Sequence, residues 1–145
     1  MSSNEITLTA PNTPEMEVMI SNIASSIAKS INLSAEQIDE IKLAVIEACL
    51  NSFEHSKSPD KSVTVKFTPE KDQLKIEIQD RGIGFNPSKV QAPDLKRIIN
   101  GKEKRHRGWG LQIIRSFMDE VKIESDEHGT KLVLIKKKSH TGQKR

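Results

Sequence analysis

Glu47, Asn51 and His55 fall four residues apart in the run "EACLNSFEH". Four residues is about one helical turn, so a helix puts the carboxylate, the amide and the imidazole in one line. A carboxylate one turn from an amide can orient a hydroxyl and take its proton. The amide oxygen suits a hard cation, because Mg²⁺ takes oxygen ligands and completes its shell with waters and phosphates. On its own, the line reads more simply as the solvent strip of a core helix.

Two glycine pairs lie downstream. "DRGIGF" sets Asp80 at the end of a strand, with Gly82 and Gly84 after it. Glycine lets a ligand approach the backbone closely, and a carboxylate there can accept from an exocyclic amine such as that of adenine. "RGWGLQII" sets Gly108 and Gly110 where a helix begins. Exposed N–H groups at the positive end of a helix dipole attract phosphate. Each pair alone is also an ordinary turn or helix entry. The P-loop spacing is absent, and no G-x-G-x-x-G opens a βαβ unit. His55, His106, His128 and His140 are too scattered for a zinc site. Cys49 and His55 lie on different helix faces, which disfavours a cysteine nucleophile.

The elements that must position these residues follow from periodicity. "EITLT" alternates as a strand ending at Pro11. Met16, Met19, Ile20, Ile23, Ile27 and Ile31 recur at helical spacing from Pro14 to Ser30, with Asn12 or Thr13 as the expected cap. Ser34 and Gln37 form a capping-box pattern that opens a second helix, running to about His55. On a wheel, Ile38, Ile41, Val45, Ala48, Cys49 and Ser52 form its core arc, extended by Leu43, Ile46, Leu50 and Phe53. The remaining stripe is Glu40, Ala44, Glu47, Asn51 and His55. "SVTVKFT" and "QLKIEIQD" alternate as strands joined at "PEKD". After a polar stretch with one short helix around 92–99, "GWGLQIIRSFMDE" reads as a helix with Leu111, Ile114, Phe117 and Met118 inward. "VKIES" and "TKLVLIKK" close the chain as strands around "DEHG".

Composition sets the outer bounds. The 145 residues are 34% hydrophobic and 30% charged, as expected of one soluble domain. No apolar run spans a bilayer and the N-terminus has no signal-peptide pattern, which favours the cytoplasm. The single Cys49 excludes disulfide stapling within the chain and reads as a core residue. The +3 charge is uneven, with no Lys or Arg before Lys29 and "KKK" at 136–138. With no Tyr and one Trp, the chain lacks the aromatic-basic pattern of single-strand binders, so nucleic acid is not expected. "KKKSHTGQKR" reads as a solvated end. The division is one domain over 1–138, a lid at about 86–107 and a flexible basic tail at 139–145.

In combination, "EIKLAVIEACLNSFEH", "IQDRGIGF" and "GWGLQIIRSFMDEVKI" resemble the GHKL superfamily of ATP-binding domains. Within it, the chain is most similar to the small serine kinases that act as bacterial anti-sigma factors. The resemblance implies an α/β (α+β) two-layer sandwich with helices on one face of a mixed, mostly antiparallel sheet. It implies ATP and Mg²⁺ as cofactors. Glu47 would be the catalytic base and Asn51 the Mg²⁺ ligand. Asp80 would bind adenine, supported by Gly82, Gly84 and Thr130. Arg107, Gly108, Gly110 and Leu111 would hold the phosphate side, with Lys104 and Arg105 as further neutralising cations. The substrate would be a serine or threonine of a STAS-domain anti-sigma-factor antagonist. A sigma factor is a further partner and a homodimer through the sheet a possibility. Two other readings stay open: a nucleotide-gated binding protein without catalysis, and the ATP-binding domain of a histidine kinase. The roles of His55 and Trp109 are open too.

Overall fold

Alternating strand residues and two long amphipathic helices dictate a sandwich, and the computed structural model has that form. It describes residues 4–55, 62–80, 106–127 and 129–139. The order is β1 (Ile6–Ala10), α1 (Met16–Ser30), α2 (Ala35–His55), β2 (Val63–Pro69), β3 (Gln73–Asp80), α3 (His106–Phe117), β4 (Glu120–Asp126) and β5 (Gly129–Lys137). The strands form one sheet in the order β1-β2-β3-β5-β4. Every pairing is antiparallel, so the expected parallel component is absent among the described residues. The short helix expected around 92–99 lies outside the described residues.

One sheet face is apolar. Val65, Phe67, Leu74, Ile76, Ile78 and Leu134 alternate inward and are fully buried. Burying each such side chain stabilises by about 1.5–3 kcal/mol. α1 covers this face with Ile20, Ala24, Ile27 and Ala28, and α2 with Ile41, Val45 and Ala48. The opposite face is charged, with Glu77 among Lys66, Lys75 and Lys131 at 3.5–3.9 Å.

The helix ends separate good local signals from poor ones. The capping box forms in both directions: Gln37 N–H donates to Ser34 Oγ at 3.1 Å, and Ser34 N–H to Gln37 Oε1 at 3.2 Å. The cap expected at Asn12 or Thr13 does not form. α1 instead follows Glu15, which takes a left-handed conformation (φ 67°) with no side-chain cap. The helical spacing also overstated burial. Met19 and Ile23 on α1, and Leu43 and Leu50 on α2, face outward at 37–57% exposure. No helix among the described residues is long and apolar enough to cross a membrane.

One charge reading and one helix start differ from expectation. The lysines at 136–138 are no solvated tail. Lys136 and Lys137 belong to β5, Lys136 is buried, and Lys138 N–H donates to the Asp72 carbonyl at 2.8 Å. The period of two explains it: Leu132, Leu134 and Lys136 all point to the helix side. α3 also starts earlier than the glycine pair suggested, at His106, so its first turn takes in His106 and Arg107.

Candidate functional site

Among the described residues, the polar stripe of α2 lies along α3. Ala44 is completely buried, and Glu47 and Asn51 are half-buried. α3 packs chiefly on α2 and only lightly on the sheet. A Cβ built on Gly110 would lie 3.0 Å from Glu47 Oε1. Glycine at 110 therefore lets the first turns of α3 reach the carboxylate. Asn51, one turn on, faces a small cavity shared with Asp80, Leu111 and Thr130. Its volume of about 30 Å³ matches roughly one water.

Asp80 ends β3 opposite Val63 and is almost fully buried. Burial pushes its carboxyl above the ordinary aspartate range, and a hydrogen bond from Thr130 N–H to Oδ1 at 3.1 Å opposes that rise. The strand crossing that delivers this bond depends on Gly129. Its φ is 145°, and a Cβ there would run into the Asp80 carbonyl oxygen. Ser125 and Thr130 share a hydroxyl hydrogen bond at 3.0 Å, which ties β4 to the same corner. The resemblance placed Thr130 near Asp80, and the two are hydrogen-bonded neighbours, but neither Gly129 nor Ser125 was singled out. The glycine in "HGTK" was the available signal for the first, and nothing marked the second.

α2, β3, α3 and β5 thus bring Asn51, Asp80, Leu111 and Thr130 to one cavity, with Glu47 beside Gly110. Gly82 and Gly84 lie outside the described residues, as do Lys104, Arg105 and the side chains of His55, Arg107 and Trp109. The backbones of Arg107 and Gly108 lie in the first turn of α3. Cys49 is buried among apolar groups, and burial raises its thiol to about 12, which makes it inert. A wider groove of about 630 Å³ lies at the far edge, lined by Ile6, Ile27, Ile31 and Pro69 together with Glu5, Glu70 and Lys71, away from the residues singled out above.

The donor set fits a nucleotide and its cation. A buried carboxylate accepts from an amine, a helix start offers N–H groups to phosphate, and an amide oxygen suits Mg²⁺. No group of three His, Cys, Asp or Glu side chains converges among the described residues. A cation here would rely on Asn51 and on phosphate oxygens arriving with it.

Residues 10–136 match the histidine kinase-like ATPase domain family. The chain belongs to that family. The anti-sigma F factor of Clostridium acetobutylicum is 34% identical over 122 residues, 78% of this chain and 79% of that one. The serine-protein kinase RsbW of Listeria monocytogenes serotype 4a is 31% identical over 137 residues, 92% of this chain and 87% of that protein. Among solved structures, the RsbU and RsbW domains of Rv1364c from Mycobacterium tuberculosis align with TM-score 0.68 at 19% identity. They cover 94% of this chain and 33% of that longer one. The SiaB-SiaC complex from Pseudomonas aeruginosa aligns with TM-score 0.59 at 12% identity, covering 90% and 88%. These two establish the fold.

Proposed function

We propose that this member of the family is an ATP- and Mg²⁺-dependent protein serine/threonine kinase. Its substrate is a STAS-domain anti-sigma-factor antagonist, and it also sequesters a sigma factor. The observation that carries the reading is the meeting of Glu47 with Gly110, one turn from Asn51 and beside the cavity of Asp80 and Thr130. The named relatives, an anti-sigma factor and serine-protein kinases, support it.

In this reading, Asp80 accepts from the exocyclic amine of adenine, and Thr130 N–H keeps its carboxylate oriented. The first turn of α3 offers backbone N–H groups to phosphate oxygens. Asn51 holds the cation by its amide oxygen. Bound Mg²⁺ supplies neutralisation of phosphate charge. Glu47 orients the serine hydroxyl and takes its proton as the oxygen attacks the γ-phosphorus and ADP leaves. Such transfer depends on positioning and charge more than on covalent help from the protein. Pairing of two copies through the sheet and a cytoplasmic location belong to the same reading.

The test incubates the protein with Mg²⁺-ATP and STAS-domain proteins from the same genome, and reads phosphoserine or phosphothreonine by mass spectrometry. Transfer to one of them is expected. ATP binding without transfer to any of them would overturn the kinase reading in favour of a nucleotide-gated binder.

A further inference from the structure

Lys136 is a lysine at a core position, and its ammonium is claimed from two sides. Its side chain is 8% exposed and lies 2.6 Å from Glu40 Oε1. It also donates to the carbonyl oxygen of Phe117, the last residue of α3. A buried cation needs such partners, and a helix C-terminus is a favourable place for positive charge. The chain around it is fastened as well. Asp119 N–H donates to the Ile135 carbonyl at 2.9 Å, Lys137 N–H to Asp119 Oδ2 at 2.6 Å, and Gln37 Nε2 to the Lys137 carbonyl at 2.7 Å.

The spacing links this cluster to the site. Glu40 and Glu47 stand seven residues apart on the stripe of α2. Phe117 and Gly110 stand seven apart on α3. Glu40 meets the end of α3 through Lys136, while Glu47 meets its beginning at Gly110. The two helices therefore run antiparallel, and the two contacts lie about 10 Å apart along both. Little of α3 rests on the sheet; its apolar side packs on α2 around the buried Ile114, and the Lys136–Phe117 contact adds a polar fixed point at its C-terminal end. A slide of α3 by one residue, about 1.5 Å, would pull the Phe117 carbonyl off Lys136 and carry Gly110 away from Glu47 together.

We propose that Lys136, braced by Glu40, is a positioning residue for the nucleotide site: it pins the C-terminal end of α3 and thereby sets where the first turn of that helix lies against Glu47. The proposal rests on the reading of α3 as the phosphate-binding helix. Neither Lys136 nor Glu40 touches the nucleotide in it.

Glu40→Gln alone strands a buried ammonium, which can unfold the protein by itself. The test is the double variant Glu40→Gln/Lys136→Met, which removes the ion pair as a whole. Amide hydrogen exchange without nucleotide should quicken along residues 110–117 and stay unchanged in α1 and β2. Titration with ATP, ADP and adenosine should show the phosphorylated ligands weakened about tenfold, roughly 1.4 kcal/mol, with adenosine unaffected because Asp80 and Thr130 are untouched. A merely structural loss would raise exchange in α1 as much as in α3, or weaken adenosine equally; either result overturns the proposal. So does unchanged ATP affinity alongside a loosened α3. The exchange experiment needs no kinase activity. A wild-type protein that binds no ATP would count against the proposed function while leaving the exchange result to judge the clamp.

Discussion

At the residue scale, Asp80 is an almost fully buried carboxylate and Glu47 a half-buried one, with different work. Burial raises the Asp80 carboxyl, so the folded state holds its proton more tightly than the unfolded chain. Stability from this group is therefore gained as pH falls through the raised value and lost as pH rises. Asp80→Asn keeps an acceptor for Thr130 N–H and removes the buried charge. Its thermal midpoint at neutral pH should exceed wild type, while adenine binding fails because the amide turns a donor toward the amine. In the wild type, ATP affinity should decline on mild acidification, at a pH above that of an exposed aspartate. Calorimetric titration across pH checks both, and unchanged ATP affinity in Asp80→Asn would remove Asp80 from the adenine site. The α2 line of "EACLNSFEH" was legible as chemistry, but not as to what it faced. Only the fold shows that Glu47 lies against α3 and that Asn51 lines a cavity with Asp80.

At the element scale, two glycines hold the site and the same substitution should act oppositely at each. Gly129→Ala forces a Cβ into the Asp80 carbonyl at a φ of 145°. It should destabilise by at least about 1–3 kcal/mol, the usual cost of such a backbone conformation. Gly110 lies inside α3, where alanine ordinarily gains about 0.5–1 kcal/mol over glycine. Gly110→Ala meets only the flexible end of Glu47, at 3.0 Å. The fold should survive with its midpoint nearly unchanged while phosphotransfer drops. Urea titration of both variants separates these outcomes, and equal destabilisation would contradict the assignment. Element order was readable because period two and period 3.6 differ so clearly. The cap of α2 was readable because a capping box is local. The start of α1 was not, since Glu15 adopts a left-handed conformation that no neighbouring residue type announces.

At the scale of the whole molecule, long-range pairs decide what pattern cannot. Glu40 and Lys136 are 96 residues apart, and a run of three lysines near a chain end gives no hint that one is buried. The outward turn of Leu43 and Leu50 was hidden likewise, because the wheel gives an apolar arc without saying how much of it a neighbour covers. Ligand binding should be felt by the molecule as a unit. Mg²⁺-ATP at one hundred times its Kd should stabilise the fold by about 2.7 kcal/mol. That gain is a rise of a few degrees in the unfolding midpoint. Asn51→Ala should erase the part of this rise that requires Mg²⁺, and an unaltered Mg²⁺ dependence would take Asn51 out of the cation site. The central claim is that Glu47 moves a proton rather than binding nucleotide. Single-turnover transfer to the STAS-domain substrate, measured beside ATP affinity in Glu47→Gln, tests it most directly. The expected result is ATP affinity within a factor of about two and transfer slowed by about 10²–10⁴-fold; transfer at the wild-type rate, or loss of ATP binding in step with transfer, would contradict it.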